Sequence, residues 1–279
     1  MIIWLNIQST TEINSLKERR EQTKSQKYFE NLPIRAKAVY IYDVSENKQI
    51  YALNAHLALP LASITKVMTA LCALDNLNHN ALIMIPPSIL GINGDASLQS
   101  GSFWKVSDLV SYTLVKSSND GAVALGKALG GRREVVRCMN KQAEDLGLLD
   151  TRFINETGLD EAGGAGAYGS AEDVAELLSI ATKKYNEIFE STKYESYDIR
   201  GQNGTLEATN TNKVQGQIVG MKSSKTGLTD LAGGNLVFEM DAGLNHIITI
   251  AILGSTEEGR FKDAIILSNA VINFLGKTK

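Results

Sequence analysis

The period of the apolar positions shifts along the chain from strand to helix and back to strand. From Ala36 to Val44 apolar residues alternate with β-branched and aromatic ones, Ser45 to Lys48 is turn-like, and Gln49 to Leu53 returns, so an opening hairpin is predicted. Ser63 to Leu77 carries apolar or small residues on nearly every side, as a helix buried in the middle of a domain does. Three more helices are predicted: Val106 to Val115 with Ser107 as N-cap, Gly121 to Leu129, and Arg132 to Leu146 ending at Gly147. The stretch Asn155 to Gly169 is rich in glycine, with Gly164 to Gly169 read as a flexible surface loop, after which Ser170-Ala171-Glu172-Asp173 resembles a capping box opening a helix through Lys183. Strand patterns resume at Ile218 to Ser224, Gly234 to Met240 and Asn245 to Leu253, the last two joined by the loop Asp241 to Leu244, and a helix over Glu257 to Leu275 closes the chain.

Strands at both ends around a helical middle predict an α/β (α+β) fold, with one antiparallel sheet assembled from the two chain ends and a mainly helical region inserted. The expected division is a polar N-terminal extension or linker over 1–31 and a single domain over 32–279. In that domain the sheet part covers about 36–60 and 215–276, and the helical part about 61–214. The first eight residues are apolar but too short to span a membrane, and lack the flanks of a signal peptide; they fit the remnant of a longer anchor.

Composition narrows the function. With 279 residues and 43% hydrophobic content the chain can bury a substantial core, and a net charge of −3 offers no basic field for nucleic acid. Three histidines and two cysteines at no metal-ligand spacing predict no metal. Cys72 and Cys138 lie in apolar helical patterns and read as small buried hydrophobes rather than as a disulfide. Gly164-Ala165-Gly166-Ala167-Tyr168-Gly169 matches G-x-G-x-x-G, yet no hydrophobic strand precedes it, so no nucleotide cofactor is expected.

The chemistry-bearing elements are Ser63-Ile64-Thr65-Lys66, Ser117-Ser118-Asn119 and Lys225-Thr226-Gly227, in that order. S-x-x-K also occurs at Ser45 and Ser102, but only the match at Ser63 opens a long helical run. There Lys66 stands one turn on from Ser63, on the same face, as a base for an otherwise poor nucleophile. The ordered trio marks penicillin-binding proteins and class A β-lactamases. Lys225 to Gly227 ends an apolar strand, where the glycine permits close approach of a ligand backbone and the lysine and threonine suit a terminal carboxylate.

With the stretches Leu57 to Met68, Asn155-Glu156-Thr157-Gly158-Leu159-Asp160, Lys225 to Asp230 and Ala232-Gly233-Gly234-Asn235, the chain resembles the serine-type D-alanyl-D-alanine carboxypeptidases. These are the low-molecular-mass penicillin-binding proteins of peptidase family S11, and the resemblance covers about residues 36 to 276. It implies a β-lactamase/transpeptidase-like fold, no cofactor, a peptidoglycan stem peptide ending in D-Ala-D-Ala as substrate, β-lactams as covalent inhibitors, and an extracytoplasmic place in a bacterial cell envelope with attachment through the N-terminus.

It further implies Ser63 as nucleophile, Lys66 as general base, Ser117 as proton relay and Asn119 as a ligand of the substrate amide. Lys225 and Thr226 would hold the carboxylate at Gly227, and the backbone amides of Ser63 and Leu228 would form the oxyanion hole. Arg260 is a further candidate for the carboxylate. The alternatives are a D,D-endopeptidase of cross-links with the same residues, a non-catalytic penicillin sensor, and a class A-like β-lactamase, for which Glu156 stands in roughly the right place as the deacylating glutamate.

Overall fold

Strands that pack on both faces can be apolar throughout, and Ile247 to Leu253 is such a run, interrupted by one threonine. The structure is a computed structural model that describes residues 20, 22–91, 98–201 and 204–277. The apolar stretch at the start of the chain, and with it the expected N-terminal attachment, lies outside the described residues.

A helix over 22–29 (α1) leads into β1 (Ala38–Asp43), β2 (Lys48–Leu53) and the short β3 (Leu59–Pro60). The helical region follows, with α2 (Lys66–Asn76), the ribbon β4 (Leu82–Met84) and β5 (Phe103–Lys105), then α3 (Val106–Val115), α4 (Asn119–Ala128) and α5 (Arg132–Asp145). Next come β6 (Arg152–Phe153), β7 (Ala167–Gly169), α6 (Ala171–Lys184), α7 (Asn186–Glu190) and the hairpin β8 (Ser196–Gly201) and β9 (Gly204–Thr209). The chain then returns through β10 (Met221–Thr229), β11 (Gly233–Asp241) and β12 (Ile247–Ser255) to α8 (Gly259–Lys277).

The main sheet has the order β10-β11-β12-β1-β2, so strands from both chain ends meet at the antiparallel β1–β12 pair and β10 is an edge. Strand alternation divides the core in two. Val39, Ile41, Ile248, Ile250 and Ile252 face α1 and α8, whereas Ala38, Tyr40, Ala251 and Leu253 face the helical region.

Several boundaries differ from the sequence expectation for physical reasons. The 22–29 helix is docked rather than solvated: Phe29 is fully buried and its ring lies 5.4 Å from that of Tyr51 and 5.7 Å from that of Phe274. Lys105, not Ser107, is the N-cap of α3. Ser118 caps α4 by accepting from the Gly121 amide at 2.8 Å, which starts that helix two residues earlier than expected and puts Asn119 at its first position. Ser170 caps α6 in the same way through Asp173 N. The third strand pattern runs on through Thr229, placing Lys225 mid-strand. Its buried polar side chains are hydrogen-bonded, Ser224 Oγ accepting from Asn212 Nδ2 at 3.0 Å.

Cys72 and Cys138 are not separate buried hydrophobes: they form a disulfide between α2 and α5, with Cα atoms 6.2 Å apart and a sequence separation of 66. Gly164 to Gly169 is not a flexible surface loop either. Asn155, Glu156, Thr157, Ala165 and Ala167 are buried, and residues 167–169 pair with β3 and β6.

One buried carboxyl outside the site sets a pH dependence of stability. Glu239 on β11 is 3% exposed beneath α6, accepts from Thr249 Oγ1 at 3.3 Å, and burial pushes it up from 4.5 to about 7. A raised acid stabilises the fold in its protonated form, so this contribution is present below 4.5 and is lost as pH rises through about 7. The loss is on the order of 3 kcal/mol. Denaturant titrations from pH 4.5 to 8 should show stability declining over this window, and Glu239→Gln should flatten the decline; an identical pH profile for the variant would refute the assignment.

Candidate active site

Ser63 does not lie on the α-helix predicted for it. It sits in a 3-10 turn, Ala62–Thr65, and α2 begins at Lys66. Ala62, just before it, has φ +50°, a conformation that costs an alanine about 1 to 2 kcal/mol and persists only if its surroundings hold it. They do so from three sides. Asn235 Nδ2 donates to Pro60 O at 2.9 Å and Leu61 O at 3.1 Å, while Leu61 N donates to Ala167 O at 3.0 Å. Gly158, at φ +77°, packs so closely that a Cβ there would stand 1.9 Å from Ala62 O. Gly227 of β10 packs on the other side, where a Cβ would stand 2.7 Å from Leu61 O. The glycine read from sequence as room for a ligand therefore makes room for the nucleophile turn.

Lys66 is completely buried and donates to Ser63 Oγ at 2.8 Å, Asn119 Oδ1 at 2.8 Å and Thr157 O at 2.7 Å. The last two are oxygens that can only accept. A neutral amine would spend its two N–H groups on them, leaving its lone pair for the Ser63 proton. Thr157 O is aimed by a side-chain-built turn: Asn155 Oδ1 accepts from Thr157 N, Thr157 Oγ1 and Gly158 N at 3.2, 3.0 and 2.7 Å, and Asn155 Nδ2 donates to Leu159 O.

Lys225 is 2% exposed and donates to Ser117 Oγ at 2.8 Å, which joins the second and third sequence elements. Burial, with the nearby charges of Lys66 and Arg260, holds its ammonium well below the usual lysine range. Ser117 itself has φ +60° in the tight link between α3 and α4. Thr226 Oγ1 is bonded to Thr211 Oγ1 at 2.6 Å, a partner no motif announced. Arg260, buried at the start of α8, donates through Nη1 to Gly227 O at 2.6 Å, so the last helix reaches the same strand. Leu228 exposes its side chain at 42%.

The structure thus gathers Ser63, Lys66, Ser117, Asn119, Lys225, Thr226, Gly227 and Arg260 around one edge strand. It adds Asn155, Thr157, Asp160 and Asn235, which were visible in sequence only as stretches without assigned roles. Glu156 is buried, with its carboxyl pushed up by that burial and its Cγ packed on Gly126 of α4. No group of metal-ligating residues and no helix long and apolar enough to cross a membrane occurs among the described residues.

A family model described as D-alanyl-D-alanine carboxypeptidase matches residues 21–256. The chain is 30% identical over 233 residues to the D-alanyl-D-alanine carboxypeptidase DacF of Bacillus subtilis, covering 81% of this chain and 59% of that protein. It is 32% identical over 206 residues to a D-alanyl-D-alanine endopeptidase of Escherichia coli, covering 71% and 64%. The chain spans less than two thirds of the length of either. Penicillin-binding protein D2 from Listeria monocytogenes, solved in an ampicillin-bound form, superposes with a TM-score of 0.75 at 30% identity, covering 86% of this chain and 98% of that one. A D-alanyl-D-alanine carboxypeptidase from Mycobacterium tuberculosis gives 0.79 at 25% identity, covering 87% and 93%.

Proposed function

The chain belongs to peptidase family S11, the D-alanyl-D-alanine carboxypeptidases, and from that membership we propose that it removes the terminal D-alanine of peptidoglycan stem peptides through an ester on Ser63. The observation that carries the reading is the Lys66 amine, 2.8 Å from Ser63 Oγ and donating also to two acceptor oxygens, Asn119 Oδ1 and Thr157 O. Lys66 takes the Ser63 proton as Oγ attacks the carbonyl between the two D-alanines. The amides of Ser63 and Leu228 receive the oxyanion, each donor worth about 3 to 4 kcal/mol in such sites.

The substrate carboxylate takes the place at Lys225, with Thr226 and Arg260 beside it. Lys225 bonds Ser117, so that hydroxyl stands where it can pass a proton to the departing D-alanine amine. Asn119 holds the substrate amide, and water then releases the shortened peptide, its proton going to Lys66. A β-lactam acylates Ser63 by the same attack, its ring opening in place of the peptide bond. We place the protein in the cell envelope, outside the cytoplasm and attached through its N-terminus, where its substrate lies and where a disulfide such as Cys72–Cys138 persists.

Incubation of the protein with a peptide ending in D-Ala-D-Ala should release D-alanine, and mass spectrometry after penicillin treatment should find the drug on the peptide containing Ser63. The absence of both release and adduct would overturn the reading; rapid turnover of the drug would replace it with a β-lactamase. Relatives named D-alanyl-D-alanine endopeptidase match this chain about as well as those named carboxypeptidase, so a cross-linked muropeptide belongs in the same assay. Preferential cleavage of that substrate would shift the assignment to cross-link hydrolysis.

A further inference from the structure

The segment 157–160 touches both halves of the site within four residues. Its first member places Thr157 O on Lys66 at 2.7 Å, and its second, Gly158, packs on the carbonyl of Ala62 next to the nucleophile. Its last member, Asp160, reaches across to the far end of β10. There Oδ1 accepts from Thr229 Oγ1 at 3.0 Å and Oδ2 accepts from Leu231 N at 3.0 Å. Thr229 Oγ1 in turn accepts from Ala232 N at 3.2 Å, closing the turn between β10 and β11. Leu228, whose amide serves the oxyanion in the mechanism above, is the residue immediately before Thr229.

We propose that Asp160 is a positioning residue that ties the Lys66 loop to the end of β10, fixing the Leu228 amide relative to Ser63 so that base and oxyanion donor move as one unit. The inference rests on the acyl-transfer reading of the site. A carboxylate suits the task because each oxygen receives a different donor, one from a side chain and one from the backbone, so the β10–β11 turn is held in both position and rotation. Asn235 grips the neighbouring strand from behind through Pro60 O and Leu61 O. Without Asp160 the sheet would keep that rear contact, made by β11, while the end of β10 would lose its tie at the mouth.

Displacing a reacting group by about 1 Å costs roughly 100-fold. Asp160→Asn, which removes the charge and turns one of the two acceptors into an amide donor, should therefore lower the acylation rate constant with a penicillin by about 10- to 100-fold. The non-covalent dissociation constant should move by no more than about 3-fold, because the hydrogen bonds of Asp160 go to Thr229 and Leu231 and not to Lys225, Thr226 or Arg260. Thr229→Val, which deletes a single partner, should lower the same rate constant, Thr229→Ser should restore it, and Asp160→Asn with Thr229→Val should fall short of the product of the two effects.

Stopped-flow acylation at several drug concentrations separates the two constants, and thermal melts identify any variant that has not folded; the Thr229 variants then carry the test. An acylation rate constant within 2-fold of the parent in folded Asp160→Asn and Thr229→Val would overturn the proposal, as would a loss confined to the dissociation constant. Failure of the unsubstituted protein to acylate at all would instead overturn the acyl-transfer reading.

Discussion

Ser63→Ala should form no penicillin adduct and should release D-alanine about a millionfold more slowly than the parent, the scale on which serine hydrolases lose turnover when the nucleophile is removed. Lys66→Met should come close to the same loss, because Ser63 Oγ has its base at 2.8 Å and the amine is fully buried, so no water-borne base replaces it. The double variant should be no slower than the worse single one, since the two side chains act as one unit. Penicillin labelling followed by mass spectrometry, beside release assays on the same samples, checks all three. Fold loss must be excluded for Lys66→Met, which removes the Lys66 hydrogen bonds to Asn119 Oδ1 and Thr157 O. If Lys66→Met retained more than about a hundredth of the parental acylation rate, Lys66 would not be the base.

The second large effect is expected from a residue with no side chain. In Gly227→Ala the new methyl group would stand 2.7 Å from Leu61 O, 3.2 Å from Ala62 Cβ and 3.3 Å from Ile64 Cγ1. Backbone cannot yield as a flexible side chain does, so β10 must back away from the nucleophile turn and take the Leu228 amide with it. Acylation should fall by about 100- to 1,000-fold, the cost of losing one oxyanion donor. Lys225, proposed above to hold the carboxylate, stays on the same strand, so apparent affinity should change far less. Acylation within about 3-fold of the parent, in a variant that melts normally, would show that this close contact does not set the geometry of attack.

Much of this arrangement was legible in the amino-acid order, for a local reason. Ser63 and Lys66 are three residues apart, Ser118 caps the helix that begins with Asn119, and Lys225 to Gly227 lie on one strand, so short-range rules suffice to name the groups. What could not be read depended on partners distant in sequence. The nucleophile turn is 3-10 rather than α because Gly158 and Gly227 press on it from segments about 100 and 165 residues away.

Gly164 to Gly169 reads as a flexible loop because glycines mark loops, and Asn155 to Gly163 before it offers no strand or helix pattern. The Asn155 side chain, however, satisfies the backbone of that stretch from within and lets it be buried. Arg260 carries no motif at all, and its link to Gly227 O spans 33 residues. The cysteine pair is the same case: apolar helical context favours separate thiols, and only the packing of α5 on α2 brings them within bonding distance.

That bond has a practical consequence for anyone who purifies the protein. It joins the helix that starts at Lys66 to a helix 66 residues on, and closing a loop of that size limits the unfolded chain by about 4 kcal/mol in the chain-entropy model. A batch made in a reducing host and a batch exported into an oxidising compartment are then chemically distinct substances, the first two hydrogens heavier and more readily unfolded. Activities compared between such batches would measure the provenance of the sample as much as the residues under test.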